Sequence, residues 1–124
     1  MTAAEKGAYC EQCAREYLRR QGYRIEAVNF RCKGGEIDIV ALDKDELVFV
    51  EVKARKSTGF GAPCEAVTYT KRRKIMRAAQ LYLARCKREY GVRFDVIEVL
   101  FDERADKLCI RKINQIRAAF GEGY

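Results

Sequence analysis

Three carboxylates and one ammonium interrupt the two most apolar runs of the chain: Glu36 and Asp38 in GEIDIVALD, Glu51 and Lys53 in ELVFVEVKAR. Side chains alternate across a strand, so Leu47, Phe49, Glu51 and Lys53 share one face and Val48, Val50 and Val52 the other. By the same alternation Glu36, Asp38 and Val40 share a face opposite Ile37 and Ile39. If the two runs pair as a hairpin around Asp43–Asp45, Asp38 approaches Glu51 and the charged faces meet on one sheet surface, while the apolar faces pack on a helix. Burying unpaired carboxylates costs several kcal/mol, and two adjacent carboxylates repel, so that one tends to keep its proton. A divalent cation relieves both problems. Mg²⁺ takes oxygen ligands, commonly one or two carboxylates, with waters and a substrate phosphate completing the shell. Lys53, one side chain further along, can orient a water or help lower its pKa for in-line attack on phosphorus.

The elements that must position these residues follow from periodicity. Cys10, Cys13, Ala14, Tyr17 and Leu18 recur at helical spacing, which predicts a helix over 4–21 stopped by Gly22. Strands are expected at Tyr23–Cys32, Glu36–Leu42 after Gly34-Gly35, and Glu46–Ala54. STGFGAP, from Ser57 to Pro63, reads as the clearest long loop. A helix over 68–90 carries an Ile75, Ala79, Tyr82, Cys86, Tyr90 stripe and ends at Gly91. Strands are expected at 92–102 and, short and at an edge, at 108–113, with INQIRAAF closing in a helical turn. The order α-β-β-β-α-β-β implies a mixed sheet flanked by helices.

Composition bounds the rest. The chain has 124 residues, 48% hydrophobic and 35% charged, which fits one globular domain over 1–124. Lys and Arg outnumber Asp and Glu by 25 to 18, and the resulting +7 favours a polyanionic partner. No run approaches the ~20 apolar residues of a membrane span, and MTAAEKGAYCEQCAREYL has no apolar stretch of a secretory signal. The expectation is therefore a cytoplasmic protein that does not engage a membrane, with its six cysteines reduced. Histidine is absent, so chemistry must rest on carboxylates, lysine, tyrosine or cysteine. Cys10-x-x-Cys13 lacks the second pair that a zinc site would want.

Set in these contexts, GEIDIVALDKDELVFVEVKARKS resembles the signature of the uncharacterised YraN family, also catalogued as UPF0102. That family looks like a branch of the PD-(D/E)XK nuclease superfamily, similar to archaeal Holliday-junction resolvases. Gly7, Glu11, Ala14, Tyr17, Leu18, Gly22-Tyr23, Asn29, Gly35 to Asp38, Phe49 to Lys53, Gly61, Lys71, Ala79 and Tyr82-Leu83 carry the resemblance over nearly the whole chain. It implies a restriction-endonuclease-like α/β fold, with Asp38 and Glu51 as metal ligands for Mg²⁺ or Mn²⁺ and Lys53 acting on the water. It implies Glu11 as a further acid near the metal; Glu11, Ala14 and Leu18 at i, i+3 and i+7 point it to the sheet. Cys10, where the family more often has glycine, is a departure that bears on how closely that helix approaches. Glu36 is characteristic of the family without an assigned role, and Gln80 is an accessory candidate for orienting phosphate or water. Resolvase-like relatives imply a homodimer.

Arg55, Lys56, Lys71, Arg72, Lys74 and Arg77 follow directly on the carboxylate strand and could track a phosphate backbone. Phe60 in its glycine-flanked loop could stack on an unpaired base. The expected activity is metal-dependent hydrolysis of phosphodiester bonds in branched or flapped DNA. The alternative is a non-catalytic nucleic-acid-binding module with a nuclease-like fold. Plainer readings stay open beside these: an exposed strand face for Glu51 and Lys53, a cap or arginine partner for Asp38, a solvated helix face for Glu11 and for the basic residues.

Overall fold

In the computed structural model, which describes residues 1–57 and 67–121, the first helix carries its own start signal. The Thr2 hydroxyl accepts the Glu5 N–H at 3.1 Å, and the Glu5 carboxylate accepts the Thr2 N–H at 2.9 Å. Two N–H groups otherwise unpaired at a helix start are thereby satisfied. This helix, α1 (Ala3–Arg20), buries Cys10, Ala14 and Leu18 on one stripe. Gly22 then turns the chain at φ 93°, a left-handed conformation that suits glycine.

Three strands follow: β1 (Arg24–Cys32), β2 (Gly35–Asp43) and β3 (Glu46–Lys56). Helix α2 (Tyr69–Ala84) leads to β4 (Gly91–Arg104) and β5 (Lys107–Phe120). The sheet order is β1-β2-β3-β4-β5, antiparallel except for β3–β4. A parallel neighbour needs a crossover, and α2 lies on it. The result is the expected α/β architecture, a five-stranded mixed sheet with a helix on each face.

The core divides into two layers. On the α1 side, Cys10, Ala14, Leu18 and Tyr23 pack with Ile39, Ala41, Val48, Val50, Ile97, Val99 and Phe101. On the α2 side, Ile75, Ala78 and Ala79 pack with Ile37, Val40, Leu47, Phe49, Val96 and Phe120. Strict alternation placed Ile37 and Ile39 together; the structure puts them on opposite faces. The β1–β2 ladder skips the Asn29/Asp38 position between Val28↔Ile39 and Phe30↔Ile37, and Asn29 adopts φ 49°. This local irregularity re-aims the side chains around Asp38, as strand irregularities do. Nor is the face of Glu51 charged throughout: its Leu47–Phe49 end is dry core under α2.

Two boundaries differ from expectation. Helix α2 ends at Ala84, with Arg85 as its cap, rather than at 90. Cys86 and Tyr90 still pack on the α2-side core, but from non-helical chain. INQIRAAF is not a helical turn; it continues β5 to Phe120 along the sheet edge. Most of the STGFGAP segment, with Phe60 and Gly61, lies outside the described residues.

A candidate carboxylate site where β2 and β3 part

The β2–β3 ladder runs from Asp43↔Glu46 to Ile39↔Val50 and no further. Beyond it the Asp38 side chain takes over from the backbone: its Oδ2 accepts the Val52 N–H at 2.8 Å. The two strands therefore part with Asp38 held against β3, one residue from Glu51. The carboxyl groups of Asp38 and Glu51 come within hydrogen-bonding reach of each other. Burial pushes Glu51 up to about 7, and the Asp38 charge adds to the rise, against the pull of Lys71. Asp38 is also raised by burial, which the Val52 N–H and the Glu51 hydrogen bond oppose. The pairing thus favours the neutral form of Glu51 and the ionised form of Asp38.

Glu11 reaches this pair from α1. Burial raises its pKa first, and the negative charge of Asp38 raises it further, with Arg15 pulling the other way. The structure thus puts Glu11 within the field of Asp38 and Glu36, without gathering it into one cluster with Glu51. Glu36 sits exposed at its rim, paired with Arg31 at 3.5 Å across the β1–β2 ladder. Lys53 is half-buried two residues beyond Glu51 on the same strand face, in register with Glu98 of β4. Among the described residues no ion pair involves Lys53.

The lysine that touches the pair is Lys71. Its Nζ lies 3.3 Å from Glu51 Oε1. The sequence places it among the phosphate-binding candidates, and that group separates in the structure. Lys74 and Arg77 are exposed on α2 beside the Gly34–Gly35 turn, where the Arg77 side chain passes close to Gly34. Arg72 is tied down, its Nε donating to the Val67 carbonyl at 2.6 Å. Arg55 lies 3.1 Å from Glu98. Lys56 is exposed and lines a shallow cavity with Phe101, Asp102, Glu103 and Arg104. Gln80 is exposed nine residues after Lys71, on the opposite side of the helix, and is not brought to the carboxylates.

Glu98 escaped the reading of the sequence. It is 4% exposed on the face that carries Val96, and accepts from Asn114 Nδ2 at 3.3 Å. Its Oε2 and the Arg55 Nε lie close without hydrogen-bond alignment. The signal was the same as for Glu51: a carboxylate inside an apolar strand, here VRFDVIEVLFD.

Among the described residues no three His, Cys, Asp or Glu side chains converge as a ligand set. Two carboxylates are what the site offers a cation directly. That fits Mg²⁺ or Mn²⁺, which commonly bind through one or two carboxylates and keep several waters. It does not fit a closed structural site of four protein ligands. No helix among the described residues is long and apolar enough to cross a membrane.

The family model for an uncharacterised protein family, UPF0102, matches residues 10–99, from α1 to β4. A UPF0102 protein of Caldanaerobacter subterraneus subsp. tengcongensis is 47% identical over 115 residues, covering 92% of this chain and 93% of that protein. One from Caldicellulosiruptor saccharolyticus is 44% identical over 121 residues, covering 97% of this chain and 100% of that protein. One from Clostridium acetobutylicum is 47% identical over 108 residues. The matched span includes Glu11, Asp38, Glu51, Lys53 and Lys71.

Proposed function

The chain belongs to the uncharacterised family UPF0102, and from that premise we propose that it is a metal-dependent nuclease that hydrolyses phosphodiester bonds, with branched or flapped DNA as its substrate. The observation that carries this reading is the Asp38–Glu51 pair: two carboxyl groups brought together where the β2–β3 ladder ends, with Glu51 buried and Asp38 held by the Val52 N–H. Burial raises both pKa values, and the Asp38 charge raises that of Glu51 further; perturbed pairs of this kind concentrate at functional sites.

Asp38 and Glu51 would hold Mg²⁺ or Mn²⁺, which supplies activation of a water and neutralisation of charge on the phosphate. Asp38 arrives pre-oriented by the Val52 N–H. Glu51 would be held in its ionised form by a bound cation. Lys53 follows Glu51 on the same strand and, with no carboxylate partner among the described residues, is available to hold a water or a developing anion. Glu11, raised by burial and by Asp38, is suited to hold or pass a proton at the far side of the pair. Lys74 and Arg77 flank the site with exposed positive charge, the arrangement that tracks a phosphate backbone without reading bases. The likeness of the family that GEID and FVEVK mark to resolvase-like nucleases supports the substrate class.

A binding module with a structural acidic cluster is the second reading, and the Lys71–Glu51 ion pair favours it by partly neutralising the cluster within the protein. One assay separates the two. Single-stranded, duplex, flapped and four-way-junction DNAs are incubated with Mg²⁺, Mn²⁺ or EDTA. Metal-dependent cutting is expected, abolished in Glu51→Ala and reduced roughly 10²–10³-fold in Lys53→Ala, the range for removing one group that stabilises transition-state charge. Tight, metal-independent binding without cutting, equal in both variants, would leave the binding module.

A further inference from the structure

We propose that Lys71 holds the place of the metal: its ammonium sits against Glu51 until a divalent cation enters, and is then handed to a phosphate of the substrate. The inference rests on the metal-site reading above and adds a second state of the same site.

The placement of Lys71 is built, not incidental. Thr68 caps α2 and its hydroxyl accepts the Lys71 N–H at 3.2 Å. One turn later Ile75 is buried to 1% exposure in the α2-side core. Cap and core fix both the start and the rotation of the helix, and residues four apart share its inner face. Lys71 is thereby aimed at the sheet, where its Nζ meets Glu51 Oε1 at 3.3 Å. Its stem nevertheless remains free to move, because the side chain is 47% exposed.

Charge balance then decides where it goes. The groups facing this spot are Asp38 and Glu51, with Glu11, Glu36, Arg15 and Arg31 on the α1 and β1 side. The Lys71 ammonium, 3.3 Å from Glu51, offsets part of the negative charge of the Asp38–Glu51 pair. A divalent cation held by Asp38 and Glu51 would offset their charge unaided. Lys71 would then be a surplus cation in a half-buried setting where repulsion between cations is only partly screened. The anion that restores its balance is a phosphate oxygen at the metal. Lys53 lacks a carboxylate partner among the described residues and needs no such exchange, so the two lysines differ in role: Lys53 stays, Lys71 moves.

Calorimetric titration of Mn²⁺ into EDTA-stripped protein at pH 8.5, where the pair is ionised, tests the first half. Lys71→Met is expected to bind Mn²⁺ roughly three- to tenfold more tightly than wild type, the scale of one partly exposed ion pair plus residual repulsion. Lys71→Arg should stay within about twofold of wild type, and Glu51→Gln should lose binding. The second half is read with Ca²⁺ and a phosphorothioate-protected flap oligonucleotide. Wild type should bind it more tightly with Ca²⁺ than with EDTA, and Lys71→Met should lose most of that gain. Equal or weaker Mn²⁺ binding in Lys71→Met, with Glu51→Gln still inactive in binding, would overturn the exchange and leave the metal site standing. An undiminished Ca²⁺ gain in Lys71→Met would overturn the hand-over to phosphate. Absence of Mn²⁺ binding in every protein would remove the metal site and the exchange with it.

Discussion

Glu51 holds its proton well above the usual carboxylate range because burial takes away its water and Asp38 is an anionic neighbour. Its pKa is pushed up to about 7, against about 4.3 in an unfolded chain. The sign of the linkage follows. Between those two values the folded state keeps a proton that the unfolded state has released, so stability falls as pH rises across that interval and levels off above it. The span corresponds to roughly 3–4 kcal/mol. Thermal melts in EDTA from pH 4 to 8 are therefore expected to show wild type losing stability relative to Glu51→Gln, which keeps the neutral form throughout. Comparing the two proteins cancels the exposed acids whose pKa values are lowered, such as Glu5 and Glu103. Parallel curves would mean that Glu51 ionises freely. Saturating Mn²⁺ should reverse the trend above pH 7, since a ligand bound only by the folded state stabilises it by mass action.

At the scale of elements, the sequence disclosed what is local and obscured what depends on pairing. The Asp-x12-Glu-x-Lys spacing and the apolar alternation in β3 were enough to bring Asp38 near Glu51, because a hairpin is set by its own turn. Asp43↔Glu46 closes that turn, with Lys44 at φ 58°. The irregularity at Asp38 was not legible, because it arises from its unmatched neighbour Asn29 in β1. The end of β5 misled for a sharper reason. Its register with β4 slips between Phe94↔Phe120 and Val96↔Ile116, so Ile113, Ile116 and Phe120 fall three and four residues apart, the spacing of a helix. Lys71 could not be separated from its basic neighbours without knowing how α2 is rotated. That rotation depends on one close approach: a Cβ on Gly35 would stand 2.3 Å from the Lys74 carbonyl oxygen and 3.2 Å from the Ala78 Cβ. Backbone cannot yield cheaply at such contact. Gly35→Ala is expected to destabilise the protein by about 1–3 kcal/mol and to weaken Mn²⁺ binding, because β2 is pushed from α2 and carries Asp38, three residues on, away from Glu51. A melt and an isotherm check it, and an unchanged pair would show that the helix tilts without consequence.

Across the whole molecule, the site is one end of a sheet whose other end is tied by a buried polar network. Arg93 donates to both oxygens of Asp95 at 2.9 and 3.0 Å, to the Tyr23 hydroxyl at 2.6 Å and to Glu46 at 3.0 Å. Asp95, fully buried, also accepts from Gln115 Nε2 at 2.9 Å and the Ala118 N–H at 3.0 Å. One cluster thus joins the chain leaving α1, the β2–β3 turn, β4 and the irregular end of β5. Burial alone would loosen the Arg93 proton, but the hydrogen bonds and charge of Asp95 outweigh it and the pKa is raised. RFD at 93–95 gave no hint of this, since Tyr23 lies 70 residues away in sequence and Gln115 20 from Asp95. Removing one partner of a buried pair leaves an uncompensated charge and costs about 3–5 kcal/mol. Asp95→Ala should therefore lower the melting temperature by roughly 10–20 °C. Glu46, at the network, and Glu51, at the site, are five residues apart on β3, about 16 Å along a strand. Sites at that separation without shared partners behave additively. Mn²⁺ affinity measured well below the new melting temperature should then stay within about twofold of wild type. A proportional loss of affinity would show instead that the parting of β2 and β3 at Asp38 is held open from the far end of the sheet.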